Sequence, residues 1–259
     1  MTGVKINQLS WSFGEQEIFK ELSLMIQPNA FTGIIGPNGS GKTTLLKQIS
    51  ASLKPKRNTV FIGEEDVLSF TARNLAQKIA LVSQNNNIEY DFSVEDIILM
   101  GRNPYIGRFE QESTEDIYIA RKAMEMTGVL SLKDRLVTQL SGGERQRVII
   151  ARALAQQSEI ILLDEPISNL DIKHQVEILH MTKALVKEQG ITVICVLHDL
   201  NLAAYFCDDL ILLDHGRIFR QGTPVEVLEP ETIQKVYGLG VTVLQNPVTG
   251  SPCIIPDYQ

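Results

Sequence analysis

Short apolar segments recur along the chain, and each is followed by a polar or glycine-containing stretch. We predict buried strands where these segments hold mainly isoleucine, leucine and valine, because a strand covered on both faces needs no polar positions. Helical signals lie between several of them, which is typical of a parallel sheet with crossover helices. The predicted strands are Phe31–Ile35, Val60–Ile62, Ile79–Val82, Ile160–Asp164 and residues 191–197, 209–213 and 241–244.

The first fourteen residues show another pattern, because apolar and polar residues alternate there. Alternation predicts a strand with one buried face, and we expect an N-terminal antiparallel portion. A helix is predicted over residues 41–52, after a glycine-rich turn. Another is predicted from Ile172 to just before Gly190, since its apolar residues recur on one helical face.

The middle of the chain, residues 94–157, has no evident strand pattern, and we predict three helices there. Two of the expected helix starts carry a serine with an aspartate three residues later, which is the spacing of a capping box. These pairs are Ser93 with Asp96 and Ser113 with Asp116. The pattern therefore predicts a helical subdomain inserted into an α/β sheet.

The predicted fold class is α/β, with a largely parallel sheet, an N-terminal antiparallel β portion and the inserted helical subdomain. We expect a single domain over residues 1–259. Its N-terminal part would span residues 1–84, the helical subdomain 85–157, and the rest of the core with a short tail 158–259.

Composition argues against several classes of partner and site. Lysine and arginine number 24 and aspartate and glutamate 31, which gives a formal charge of −7 and argues against a nucleic-acid partner. The three cysteines form no CxxC pair, so neither a disulfide framework nor a zinc site is indicated. The longest apolar run, residues 191–197, is too short to span a bilayer. Any work at a membrane would therefore require contact with another protein.

A phosphate-binding loop is predicted from the string GPNGSGKT at residues 36–43, which lies between a buried strand and a helix start. Glycines let backbone N–H groups surround a phosphate, Lys42 adds a charge, and Thr43 offers a hydroxyl to Mg²⁺. We therefore expect the P-loop NTPase fold with a nucleotide and Mg²⁺ as ligands, and the loop alone leaves a kinase, a GTPase and a motor protein open. The predicted contacts are Gly36, Pro37, Asn38, Gly39, Ser40, Gly41, Lys42, Thr43 and Thr44.

Two adjacent carboxylates end the predicted strand 160–164: Asp164 and Glu165. Because neighbouring strand residues point to opposite sides, we expect them to do different work. Asp164 would hold the Mg²⁺ shell, and Glu165 would orient or deprotonate an attacking water.

The string LSGGERQR at residues 140–147 resembles the signature peptide of the ATP-binding cassette (ABC) family. The resemblance covers nearly the whole chain, and six motifs occur in the family's order. They are the phosphate loop, Gln84, the signature, the Asp164–Glu165 pair, the SNLD loop that ends at Asp171, and His198.

The resemblance implies a role for each of these residues. Gln84 would reach Mg²⁺ and the water, His198 would contact the γ-phosphate, and Phe13 would stack on the adenine. Trp11 is a rival to Phe13, with core packing the alternative for both. Asp171 would belong to the nucleotide-binding loops. We treat Glu165, His198, Gln84 and Lys42 as the catalytic set, and Thr43, Gln84 and Asp164 as the metal set.

Ser141, Gly142 and Gly143 are predicted to open a helix, which would give a second anion site. In the family, this half faces the phosphate loop of a second copy. The resemblance therefore implies a homodimer closed around two ATP molecules, with a two-fold axis.

Residues 91–109 and the tail strings TPVEVL, VYG and PVTGSPCIIP resemble the subgroup that powers uptake of iron-siderophores, haem and cobalamin. This implies integral membrane permease subunits, indirectly a substrate-binding protein, and a cytoplasmic location on the inner face of the membrane. The alternatives are a molybdate, zinc or manganese importer, an exporter, a soluble mechanochemical ATPase and a P-loop kinase.

A permease-docking surface is expected between Gln84 and Phe109. The aromatic and apolar residues of that segment that we predict to be exposed are Ile88, Tyr90, Phe92 and Tyr105. Packing within the helical subdomain is the alternative explanation for each.

Overall fold

The computed structural model of the protein describes residues 2–84, 90–168 and 170–257. The strands are β1 (Val4–Phe13), β2 (Gln16–Ile26), β3 (Phe31–Ile35), β4 (Val60–Ile62), β5 (Glu65–Asp66), β6 (Ile79–Val82), β7 (Ile160–Asp164), β8 (Thr192–Val196), β9 (Asp209–Asp214), β10 (Arg217–Gly222), β11 (Val241–Gln245) and β12 (Pro252–Pro256). The α-helices are α1 (Lys42–Ile49), α2 (Ala72–Lys78), α3 (Val94–Leu99), α4 (Thr114–Met126), α5 (Gly142–Ala155), α6 (Ile172–Gln189), α7 (Leu200–Phe206), α8 (Pro224–Val227) and α9 (Pro230–Tyr237).

The central sheet has six strands in the order β10-β9-β3-β8-β7-β6. All its pairs are parallel except the edge pair β9–β10. Every residue of β3, β7 and β8 is buried, because helices and the second sheet cover both faces. The carboxyl ends of these strands share one edge of the sheet, and the loops that follow them meet there.

The N-terminal sheet is antiparallel, in the order β2-β1-β4-β5. It confirms the predicted antiparallel portion, but it also contains β4, which the sequence pattern grouped with the parallel strands. Val60 and Ile62 are buried and Phe61 between them is half-buried, so β4 has the one-sided burial of an antiparallel strand. A run of three apolar residues is too short to reveal this alternation.

Two hydrophobic clusters lie on the two faces of the central sheet. In β7, Ile161 and Leu163 belong to one cluster, whereas Ile160 and Leu162 belong to the other. This follows from the period of two in a strand. The first cluster also includes α3, α4 and α5, which ties the helical subdomain to the sheet.

The helical subdomain contains the three predicted helices, α3, α4 and α5. Ser93 and Ser113 form the expected capping boxes at the first two. A buried ion pair that the pattern did not predict joins this region: Arg102 Nε donates to Asp116 Oδ1 at 2.8 Å. The division of the chain at 84/85 and 157/158, within one domain over 1–259, stays a prediction.

The predicted helix over 41–52 is shorter in the structure, since α1 ends at Ile49 and Ala51 has a positive φ of 54°. The C-terminal region adds β10 and β12, neither of which the sequence pattern predicted. In the described residues, we find no helix with the length and apolar content that crossing a membrane requires.

Candidate functional site

The phosphate loop joins β3 to α1, and its backbone requires glycine. Gly36, Gly39 and Gly41 have φ values of 144°, 80° and 104°. A Cβ atom on Gly36 would lie 2.1 Å from the carbonyl oxygen of Leu213, so no larger residue fits there. Glycine-rich loops held in such conformations are of the kind whose successive backbone N–H groups can bind an anion.

Lys42 lies buried over this loop. Its Nζ donates to the carbonyl oxygens of Gly36 at 2.8 Å and Pro37 at 2.9 Å. Burial lowers the pKa of Lys42, and the nearby carboxylates of Glu165 and Asp164 oppose that shift. The ammonium group thus sits at the loop in a place where a phosphate would compensate its desolvation.

The other predicted loop residues follow the same path. Ser40 is buried, and its hydroxyl has no hydrogen-bond partner among the described residues. A buried hydroxyl without a partner is unfavourable, so it fits a site that is completed by a ligand. Asn38 is exposed, and Pro37 and Thr44 are half-buried.

Thr43 and Asp164 come together as the sequence predicts. Thr43 Oγ1 donates to Asp164 Oδ1 at 2.9 Å, and Asp164 is buried at the end of β7. Burial raises the pKa of Asp164, and the hydrogen bond from Thr43 opposes this shift. A hydroxyl and a carboxylate beside a phosphate loop are the oxygen donors that fit Mg²⁺.

Each carboxylate oxygen of Glu165 has a polar neighbour. Gln84 Nε2 donates to its Oε2 at 2.7 Å, and Nε2 of His198 lies 2.7 Å from its Oε1. Glu165 therefore contacts two other residues of the predicted catalytic set. The third predicted metal ligand, Gln84, makes its hydrogen bond to Glu165 and not to Asp164.

The side chains of Asp164 and Glu165 have different partners, but not because the two residues are neighbours in one strand, as the sequence analysis assumed. The strand ends at Asp164, and Glu165 lies beyond it with a φ of 51°. A non-glycine residue in this left-handed region costs about 1–3 kcal/mol. The Ser168 hydroxyl donates to the Glu165 carbonyl at 3.2 Å and helps to hold this turn.

Ser141 caps α5 and forms a capping box with Glu144. The hydrogen bonds from Ser141 lower the pKa of Glu144. A Cβ atom added to Gly143 would lie 3.0 Å from the His174 ring, and one on Gly142 would lie 3.7 Å from Leu170. The predicted second anion site therefore packs against the start of α6.

Asp171 lies at that start, where its carboxylate caps α6 by accepting from the His174 backbone N–H at 3.0 Å. His174 Nδ1 also lies 2.8 Å from Asp171 Oδ1. The role of Asp171 in nucleotide binding stays a prediction.

Phe13 and Trp11 differ in burial. Phe13 is 49% exposed, whereas Trp11 is half-buried against the N-terminal core. Their ring centroids are 5.9 Å apart and the rings are nearly perpendicular. The exposed ring of Phe13 therefore offers a face to a ligand, while Trp11 supports it from the side.

The sequence analysis did not include Tyr237 among the site residues. The hydroxyl of Tyr237, at the end of α9, lies close to the Gly36 backbone. Burial raises the pKa of Tyr237 to about 12. The only available signal was the tail string VYG, which says nothing about a contact with a loop two hundred residues earlier.

Comparison with known proteins gives a consistent set of relatives. A family model described as ABC transporter matches residues 19–168. Ferric enterobactin transport ATP-binding protein FepC of Escherichia coli (strain K12) is 39% identical over 249 residues, which cover 96% of this chain and 92% of that protein. Hemin import ATP-binding protein HmuV of Bordetella pertussis is 39% identical over 252 residues, 94% of this chain and 95% of that protein. Cobalamin import ATP-binding protein BtuD of Halobacterium salinarum (strain ATCC 29341 / DSM 671 / R1) is 37% identical over 239 residues, 92% of this chain and 60% of that protein.

Solved structures agree with these relatives. An inward-facing ABC transporter assigned to the metal-chelate type gives a TM-score of 0.87 at 26% identity, covering 100% of this chain and 99% of that chain. The dimeric ATP-binding cassette MJ0796 with ADP and Pi bound gives a TM-score of 0.73 at 33% identity, covering 85% of this chain and 98% of that chain.

Proposed function

The chain belongs to the ABC transporter family as one of its ATP-binding cassettes, which are ATPases, and we propose that it powers a membrane importer of metal chelates. Two copies would close around two Mg-ATP and drive uptake of an iron-siderophore, haem or a cobalamin-type compound. The observation that carries the ATPase part of the proposal is the set of contacts among Thr43, Asp164, Glu165, Gln84 and His198 beside the phosphate loop.

The phosphate loop would bind ATP through its inward N–H groups, and Lys42 would move its ammonium from the loop carbonyls to the phosphate oxygens. Phe13 would stack on the adenine. Thr43 and Asp164 would hold Mg²⁺, which would neutralise the phosphate charge that develops during transfer.

Glu165 is the proposed base for the attacking water. Its two oxygens are held by Gln84 and His198, so the carboxylate has one defined orientation. We expect Gln84 to leave Glu165 when it reaches the metal and the water, which frees one carboxylate oxygen to accept the water proton. His198 would keep its contact and stabilise charge on the γ-phosphate.

A homodimer would complete each site. The signature residues Ser141 to Gly143 pack against α6, and among the described residues we find no hydrogen bond between them and the phosphate loop. A helix start of this kind suits the γ-phosphate of a nucleotide held by the other copy. The dimeric cassette similar to this chain supports the arrangement.

This part of the proposal is tested with Glu165→Gln, which removes the base and leaves the phosphate loop intact. We expect Mg-ATP to bind and turnover to stop, so that the variant elutes as a dimer in size-exclusion chromatography. Glu188→Gln makes the same chemical change at an exposed position of α6, so it is the matched control and should keep turnover. Full turnover by Glu165→Gln would refute the role of Glu165.

A permease would dock on the exposed aromatic residues of the helical subdomain. Tyr90 and Phe109 are 73% and 94% exposed, and the ring of Phe92 packs edge-on against Tyr90. Tyr105 does not fit the expected surface as well, because the Arg102 guanidinium lies 4.0 Å above its ring. Ile88, also expected there, lies outside the described residues.

The docking segment is bonded to the loop that precedes the signature. Val137 N–H donates to the Phe92 carbonyl at 3.0 Å, and Thr138 Oγ1 donates to Asp91 at 2.9 Å. A displacement at Phe92 would therefore reach Ser141 through a few residues. This supports coupling between a permease and the nucleotide site.

The docking proposal is tested by changing Tyr90 and Phe92 together to alanine. We expect the variant to lose co-purification with its permease while its ATP binding persists. The exposed pair Tyr118 and Ile117 on α4 gives a control substitution to alanine. Unchanged co-purification of the Tyr90 and Phe92 variant would refute the surface.

The transported class is proposed from the relatives, whose names refer to ferric enterobactin, hemin and cobalamin import. They favour import of a metal chelate over molybdate, zinc or manganese import, export or a soluble role. The test is ATP-driven uptake of each of the three chelates into proteoliposomes that hold the chain with its permease. Uptake of none of them would refute the class.

A further inference from the structure

The carboxamide of Asn201 joins the C-terminal hairpin, β11 and β12, to the first turn of α7. Its Nδ2 donates to the Ile254 carbonyl at 3.2 Å, and its Oδ1 accepts from the Ile254 N–H at 2.7 Å. Both backbone groups of one β12 residue are thus satisfied by one side chain. The carboxamide of Asn201 thus makes the two backbone hydrogen bonds that a neighbouring strand would otherwise make at the open edge of β12.

The same turn of α7 follows His198 directly. Asp199 caps the helix, and its Oδ1 accepts from the Asn201 N–H at 2.8 Å and from the Leu202 N–H at 2.9 Å. On the other side of His198, the Leu197 N–H donates to the Ile34 carbonyl at 3.1 Å. His198 therefore lies between a strand end held by the central sheet and a helix start held by the hairpin.

The helix itself is too short to fix this turn. α7 has seven residues, and isolated helices of that length are not stable in water. Its position depends on tertiary contacts: Ala203 and Phe206 are buried in the same cluster as Ile254 and Val241 of the hairpin. The hairpin and α7 are one packed unit with the Asn201 carboxamide at its polar edge.

We propose that Asn201 is a positioning residue for hydrolysis, which uses the C-terminal hairpin to set the placement of His198 against Glu165. The inference rests on the proposed role of His198. Tyr237, which lies close to the Gly36 backbone, belongs to α9 before the hairpin, and its position does not involve the Asn201 carboxamide. Loss of the two Asn201–Ile254 hydrogen bonds should therefore misalign His198 and leave the nucleotide pocket intact.

The test is Asn201→Ala in the full-length protein, with kcat and KM for ATP measured separately. We expect kcat to fall about tenfold and KM to stay within about twofold, because a group that acts only in the chemical step affects kcat alone. Asn201→Asp keeps an acceptor for the Ile254 N–H but sets a carboxylate oxygen against the Ile254 carbonyl, so it should also lower kcat and leave KM within about twofold. Asn246→Ala is the matched control, since its Oδ1 accepts only within the hairpin turn, from the Val248 and Thr249 N–H groups.

A double-mutant cycle with His198→Ala separates positioning from a general loss of structure. If Asn201 acts through His198, then Asn201→Ala should not lower the residual single-turnover rate of His198→Ala any further. A further tenfold loss in that background, or a raised KM, would overturn the inference, as would unchanged kcat in Asn201→Ala. Full turnover by His198→Ala would refute the proposed role of His198 and this inference with it. Full turnover by Asn201→Ala beside an inactive His198→Ala would refute the positioning role alone.

Discussion

The two regions that we propose for anion binding, the phosphate loop and the signature region, are built differently. The phosphate loop lies between a fully buried strand and a helix, its lysine donates to the Pro37 carbonyl, and its Gly36 lies too close to the Leu213 carbonyl for any side chain. The signature region is the exposed start of α5, where Ser141 is satisfied by the carboxylate of Glu144 from its own helix. In the phosphate loop, the buried Ser40 hydroxyl has no hydrogen-bond partner among the described residues. In the signature region, the capping box of Ser141 and Glu144 is complete.

This difference indicates an order of events. The contacts that hold the phosphate loop lie within one copy of the chain, so ATP should bind to a single copy. The signature serine must release Glu144, or share its hydroxyl, before it can donate to a phosphate. Closing the dimer therefore includes the cost of one hydrogen bond, about 1 kcal/mol, which the γ-phosphate would offset.

The largest expected effect follows from Lys42→Ala. The substitution removes the charge nearest the phosphates, and we expect ATPase activity to fall about 10³-fold, with weaker ATP binding. Lys47→Ala, on the same helix but exposed, is the control and should keep activity. Near-normal turnover by Lys42→Ala would contradict the view that the phosphate-loop region carries nucleotide binding.

The sequence predicts the region of the phosphate loop well and for clear reasons. β3, β6 and β7 end where predicted because each is a buried apolar run that is followed by glycine or polar residues. The loop motif is continuous in the chain, so its contacts are local. Asp164 was predictable as well, since the carboxyl ends of parallel strands share one edge of the sheet.

The rest depends on contacts that no local pattern encodes. β10 has polar residues at half of its positions, and β12 begins and ends with proline, so neither resembles a buried strand. The contacts of Asn201 and Tyr237 depend on how the C-terminal segment packs. The left-handed backbone at Glu165 is likewise set by its surroundings. The sequence analysis had instead assumed that the extended conformation of β7 continues through Glu165.

An intermediate effect is expected for Ser141→Ala, which tests the signature region alone. It removes a helix cap, which costs about 1 kcal/mol of stability. It also removes a donor to the γ-phosphate, worth about 1.5 kcal/mol or about tenfold in activity. We expect ATP binding to the monomer to persist and turnover to fall, as measured by nucleotide titration and phosphate release.

Ser113→Ala is the matched control for this serine. Ser113 forms the same kind of capping box at α4, with Asp116 in place of Glu144, so its loss should lower stability by a similar amount. Its ATPase activity should stay unchanged at a temperature where the protein is folded. Equal loss of activity in the two variants would mean that Ser141 acts only as a helix cap.

The smallest effect concerns stability at the phosphate-loop region and follows from Asp164→Asn. Burial raises the pKa of Asp164 above its unfolded value, so ionisation as pH rises through that range destabilises the folded chain. Asparagine does not ionise and can still accept from Thr43. We therefore expect a higher melting temperature than wild type at pH 7, with the difference shrinking as pH falls towards about 4. The exposed Asp134→Asn should leave the melting temperature unchanged, and a lower melting temperature for Asp164→Asn at pH 7 would show that burial is not the dominant influence on this carboxylate.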